Sequence, residues 1–301
     1  MFFKKIISAV PTKSTVLVPL YIYPSPGAWE RLLSRQVGGI STYPGIKFIV
    51  VVNPHNGPGQ SLDTNYKREI RKLNLCPNVE VVGYVSTAYA NRQYSSVLED
   101  VMIYAGWRLE DDGLGVRGIF FDETPNQWTA SNASFLGNIN AAVKSCSNLG
   151  AEPLIIHNPG TIPHWRLMSG SCLPDVTVVF EATHQTYHES GCEKALKDLN
   201  VDRGRLACVM HSVPAPLMTT YSDVASEIQK LKPFMGTFFI TTFEEDLERE
   251  PHFVSASIAA PCVLYWYLRF ELNCHVLKSD SAEAARAIGT AIRVLAFCQD
   301  S

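Results

Sequence analysis

Eight short apolar runs, each followed by a stretch that reads as helix, predict a (β/α)8 (TIM) barrel of the α/β class for this 301-residue chain. Two further observations agree. The runs are nearly continuous in Val, Ile, Leu and Phe rather than alternating, which marks parallel strands covered on both faces. Eight such units in about 250 residues also match the usual length of this barrel. An open doubly wound sheet would want Gly-x-Gly-x-x-Gly after its first strand, and YIYPSPGAW (21–29) stands there instead.

The elements follow in order. VLVPLYIY (16–23) leads through a Pro/Gly turn into AWERLLSRQV. KFIVVVN (47–53) precedes LDTNYKREIRKLN, where Leu62, Tyr66, Ile70 and Leu73 share one helical face. EVVGYVS (80–86) precedes SSVLEDVMIYAGW, and RGIFFDE (117–123) precedes NASFLGNINAAVKSC. EPLIIHN (152–158), DVTVVFE (175–181), RLACVMHS (205–212) and GTFFITT (236–242) complete the ring, separated by shorter or longer helical stretches. VSASIAAPCVLYWYLRF (254–270) closes the pattern and is broken or kinked at Pro261. The reading is therefore a single barrel domain over 15–272, an N-terminal extension over 1–14, and an amphipathic C-terminal helix within 273–301.

Composition excludes several classes. A net charge of −3 with scattered cations does not suit a nucleic-acid partner, which needs clustered cations against phosphate. No run of about 18 apolar residues is present, so no transmembrane segment is expected. The opening residues lack the apolar region of a signal peptide, which leaves a cytoplasmic location open. The eight cysteines form no Cys-x-x-Cys, which removes zinc-ribbon and thioredoxin readings. His184 and His188 are four apart, but EATHQTYHESG reads as a surface loop with no Glu in the zincin position. No cofactor and no metal is assigned.

Barrel enzymes place their chemistry at the C-terminal strand ends. Those ends carry Tyr21 and Tyr23, Asn53 and His55, Ser86, Asp122 and Glu123, His157 and Asn158, Glu181, His211, and Thr241 and Thr242. Two carboxylates two strands apart suit glycosidic cleavage, one protonating the leaving oxygen and the other attacking or activating water. Asp122, Glu123 and Glu181 are thus the candidate catalytic residues. Alternation along a strand allows only one of Asp122 and Glu123 to line the axis, with the other orienting it or facing the loop. Tyr23, Asn53, His157 and His211, strand-end residues able to donate or accept, are candidates for holding sugar hydroxyl groups, and Tyr21 is a further substrate-binding candidate. Trp128 is a candidate stacking platform, since apolar sugar faces pack on such rings.

Five ordered motifs carry a resemblance. LVPLYIYP with a Trp soon after, VVNPHNGPG, VVGYVSTAYA, GIFFDE and VVFEAT together resemble the spherulin-4-like proteins (spherulation-specific family 4), over about residues 16–270. The resemblance implies a (β/α)8 glycoside hydrolase acting on galactosamine-containing polysaccharide, in particular on α-1,4-linked N-acetylgalactosamine in galactosaminogalactan. It also implies a secreted or cell-surface setting, and its acidic residues fall on Asp122, Glu123 and Glu181. The expectation is a retaining, endo-acting enzyme with Asp122 as nucleophile, Glu181 as acid/base with a raised pKa, and Glu123 in support. The nucleophile and acid roles can be exchanged on this sequence. The alternative is a non-catalytic carbohydrate-binding or spore-coat protein on the same barrel.

Overall fold

The computed structural model describes residues 14–34, 39–199 and 201–242. All but Ser14 of the expected extension at 1–14, the Pro261 segment and the C-terminal helix lie outside the described residues. Eight parallel strands close on themselves: β1 (Thr15–Leu20), β2 (Lys47–Val52), β3 (Val79–Ser86), β4 (Gly118–Asp122), β5 (Leu154–Asn158), β6 (Val176–Thr183), β7 (Leu206–His211) and β8 (Thr237–Ile240). Closure comes from β1 pairing with β8 through Thr15–Thr237 and Val16–Phe238. The chain is the predicted (β/α)8 barrel.

The helices are α1 (Glu30–Leu33), α2 (Thr64–Asn74), α3 (Tyr94–Glu110), α4 (Ala130–Ser145), α5 (His184–Glu189), α6 (Cys192–Asp198) and α7 (Tyr221–Leu231). Their starts are chemically marked. Asp63 caps α2 by accepting from the Asn65 and Tyr66 amides, and Thr220 with Asp223 forms a reciprocal capping box on α7. Two departures from the expected rhythm occur. The β5–β6 connection holds only 3-10 turns, Trp165–Met168 and Gly170–Cys172, in a stretch that includes Pro159, Pro163 and Pro174. His184 to Glu189, expected as a loop, is helix α5, started by Thr183 accepting from the Thr186 amide.

Strand side chains alternate between two cores. Leu17, Ile49, Val51, Val82, Tyr84, Phe120, Ile156, Val178, Ala207, Val209 and Phe239 pack together inside the barrel. Val18, Val50, Val52, Val85, Phe121 and Ile155 face outward and pack with Ile70, Tyr104 and Leu136 of the helices. Outward-facing Gly83 is required by this packing, because a Cβ there would come within 2.6 Å of the Tyr104 ring. That ring is fully buried and its hydroxyl donates to the Val52 carbonyl at 3.2 Å. Burial of a ring of this size stabilises the fold by roughly 1.5–3 kcal/mol.

Candidate active site

The inward parity of Phe120 places Asp122 at the mouth on β4, and that of Ile156 places Asn158 beside it, since the two residues are register partners. Glu181 arrives there by a different route. A bulge in β6 at Val178/Phe180 turns both Val179 and Phe180 to the outer core and resets the alternation. In a regular strand Glu181, three residues after inward Val178, would face the helices.

Asn158 joins the two carboxylates. Its Nδ2 donates to Asp122 Oδ1 at 2.7 Å and to Glu181 Oε2 at 2.6 Å. Its Oδ1 accepts from the Gly160 amide at 3.0 Å, which fixes which end of the amide faces the acids. The two carboxylate oxygens can be no farther apart than the two bonds laid end to end, about 5.3 Å. Tyr84, also inward, donates from its hydroxyl to Asp122 Oδ2 at 2.8 Å. Every oxygen of Asp122 is thus engaged.

Glu123 sits just past β4 with φ of +52°, a left-handed conformation rare for a residue with a side chain. The turn brings its carboxylate back to the mouth, where Oε2 accepts from Ser86 Oγ at 2.6 Å. Thr87 Oγ1 holds the same turn through the Asp122 and Glu123 carbonyls. Asn56, Ala88, Tyr89, Ala90 and Ser212 also have positive φ, and all follow the C-terminal ends of strands. Strain of this kind concentrates at functional rims.

Burial pushes the Asp122 carboxyl above its ordinary value. Donors from Tyr84, the Glu123 amide and Asn158 pull it down without cancelling the rise, to which Glu123's charge adds. Burial, then Asp122, Glu123 and Glu181, drive the Tyr84 phenol far up, so it stays a proton-bearing donor. The arrangement offers a buried carboxyl with a raised pKa next to a second carboxylate, bridged by a shared amide.

Other expected residues divide. Tyr21 packs edge-on to Tyr84 at 5.5 Å and lies at the mouth. His211 shares the inward parity of Val209 and contacts Ser212 Oγ at 3.0 Å. Tyr23 is half-exposed, and its hydroxyl is taken up by Asp63 and Asn65 at the start of α2. Asn53 shapes the next turn by accepting from the Gly57 amide at 2.8 Å. Trp128 is on the surface with the Arg166 guanidinium 4.7 Å from its ring centre, and Arg166 also lies 5.3 Å from that of Trp165. His157 is a correction. It faces outward with Phe121, is buried, and its Nε2 meets Asn140 Oδ1 of α4 at 2.8 Å. Burial lowers its pKa to about 3, so it is a neutral core residue and not a sugar contact.

The model of spherulation-specific family 4 matches residues 15–260, most of the chain. The chain belongs to this family. Spherulin-4 of Physarum polycephalum is 35% identical over 157 residues, 52% of this chain; the match spans about two fifths (41%) of that relative's length. Sph3 of Aspergillus clavatus, solved in complex with GalNAc, is 41% identical with a TM-score of 0.71, covering 78% of this chain and 91% of that one.

In this family 4 member, sequence reasoning missed the part played by Asn158 and Tyr84. Both were within reach, since each lies on the inward parity of a strand whose tip had already been singled out. Among the described residues, one group has metal-ligand spacing: His184, His188 and Glu227. No helix among the described residues is long and apolar enough to cross a membrane.

Proposed function

We propose that this family 4 chain is a retaining glycoside hydrolase acting within galactosamine-containing polysaccharide, at α-1,4-linked N-acetylgalactosamine. The observation that carries the reading is the shared Asn158 amide, which keeps an Asp122 and a Glu181 oxygen within about 5.3 Å. Retaining enzymes hold their two carboxyl groups at about 5–5.5 Å, whereas inverting ones need about 6.5–9.5 Å to admit a water. The GalNAc bound by Aspergillus clavatus Sph3 supports the sugar class.

The α linkage matters to the mechanism. In an α-linked N-acetylgalactosaminide the acetamido group lies on the same face as the leaving group, so it cannot attack from behind. An enzyme carboxylate or an activated water must, and the short separation favours the carboxylate. Burial raises the Asp122 pKa, which suits the acid that protonates the leaving oxygen. Glu181 then attacks the anomeric carbon, and Asp122, once ionised, takes the proton from the incoming water. This exchanges the roles expected from the sequence. Tyr84 keeps Asp122 in place through both steps, and Glu123, fixed by Ser86, biases Asp122 toward its protonated form.

The activity test is reducing-end release from galactosaminogalactan by the purified protein, with Glu181→Gln beside it. Release by the wild type that the variant loses supports the proposal. Sugar binding without release from this or related amino-sugar polymers would overturn it in favour of a lectin-like barrel.

A further inference from the structure

Away from the barrel interior, α5 and α7 bring His184, His188 and Glu227 together. His184 and His188 lie one helical turn apart with ring centroids 4.5 Å from each other. Glu227 reaches them from α7, and the three ligand atoms lie within 4.8 Å of one another. His184 Nε2 is 3.2 Å from Glu227 Oε2 and 3.1 Å from His188 Nε2.

Protons satisfy this contact set only through one shared hydrogen, with the His184 Nε2–H forked between the Glu227 carboxylate and a His188 lone pair. A ring nitrogen has either one hydrogen or one lone pair. If His184 Nε2 bears the hydrogen and donates to Glu227, it has no lone pair for a His188 N–H. If it bears the lone pair and accepts from His188, it faces the Glu227 carboxylate with no hydrogen between them. A bound cation asks each of the three atoms for one lone pair, which two neutral imidazoles and a carboxylate provide together.

Zinc bonds of about 2.0–2.2 Å in tetrahedral array put neighbouring ligand atoms roughly 3.3–3.6 Å apart, and the two contacts of His184 Nε2, 3.2 and 3.1 Å, lie close to that range. Glu227 is 5% exposed, and its other oxygen accepts from Lys230 Nζ at 2.5 Å, which aims Oε2 at the histidines.

We propose that His184, His188 and Glu227 form a binding site for a divalent transition metal of the zinc class, which clasps α5 to α7. Two imidazoles and one carboxylate suit such a cation better than calcium or magnesium, which prefer all-oxygen shells. α5 leaves β6 three residues after Glu181, so the clasp anchors the segment leading out of the barrel mouth. The site stands apart from the Asp122–Glu181 pair and does not depend on the glycosidase reading.

The test uses the full chain, stripped with a chelator and titrated first with Co²⁺ and then with Zn²⁺. One equivalent of Co²⁺ should give the visible spectrum of a four- or five-coordinate nitrogen/oxygen site, without thiolate charge transfer, and Zn²⁺ should displace it. Zn²⁺ should raise the unfolding temperature of the wild type but not of His188→Ala. His188→Ala and Glu227→Gln should each weaken binding by at least about tenfold. His188 is exposed, so its variant keeps the test sound if Glu227→Gln fails to fold. Failure to bind one equivalent, a thiolate signature, or affinity and thermal shift unchanged in His188→Ala would overturn the proposal.

Discussion

Asp122 and Glu181 accept hydrogen bonds from the same nitrogen, Asn158 Nδ2, at 2.7 and 2.6 Å. Two acids this close repel when both are ionised, so they need both a proton-retaining partner and a donor between them. Burial of Asp122 supplies the first and the Asn158 amide the second. Asn158→Ala should therefore lower kcat by about 10²-fold while changing KM less, because positioning rather than binding is lost. Steady-state kinetics on a defined oligosaccharide check this. An unchanged kcat would remove Asn158 from the mechanism.

Asp122→Asn should make the protein less active and more stable. The folded state raises the Asp122 pKa, so wild-type stability is fully present below the unfolded value of about 3.9 and is lost as pH rises through the folded value. The asparagine cannot ionise and escapes that loss. Thermal unfolding should show the variant above wild type at pH 7, with the gap closing toward pH 3. Activity should fall by about 10²- to 10⁴-fold, as for loss of an acid/base group.

His157 supplies the opposite slope. Its folded pKa of about 3 lies below the unfolded value, so its contribution is present above about pH 6.5 and fades as pH falls toward 3. His157→Leu should lack that acid slope. It should also cost about 1–3 kcal/mol at neutral pH by stranding Asn140 Oδ1, with kcat/KM of the folded enzyme little changed. Denaturant melts at several pH values, read beside kinetics, separate the two effects.

Trp165 is 63% exposed and shares the Arg166 guanidinium with Trp128, beside the β4 and β5 loops. Trp165→Ala and Trp128→Ala should each raise KM for polymer several-fold, equivalent to about 0.5–1.5 kcal/mol of stacking. kcat on a short oligosaccharide should not move. Equal losses on long and short substrates would contradict a role for these two rings in holding the polymer.

Much of this was legible in the sequence, for physical reasons that also explain the failures. The strand runs were readable because a parallel barrel buries both faces, so they stand out as Val/Ile-rich blocks such as KFIVVVN. Asp122 was readable as a charge ending such a block. Glu181 was singled out by its place at a strand end, yet its inward direction depends on the Val178/Phe180 bulge, which leaves no mark in the residue types. His157 and Asn158 both stand at the β5 tip and both can donate or accept, and counting by twos from inward Ile156 selects Asn158. Alternation leaves room for only one of Asp122 and Glu123 on the axis, but the strand ends at Asp122 and a left-handed turn returns Glu123 to Ser86. His184 and His188 were taken for a loop because a six-residue helix is too short to show periodicity.

The most direct measurement is time-resolved NMR of the anomeric proton of the first product released from an α-1,4-linked N-acetylgalactosamine oligosaccharide. A double displacement by Glu181 and Asp122 predicts the α anomer first, with the β anomer appearing only by later mutarotation. A β anomer formed first would contradict the close-carboxylate mechanism that the shared Asn158 amide implies.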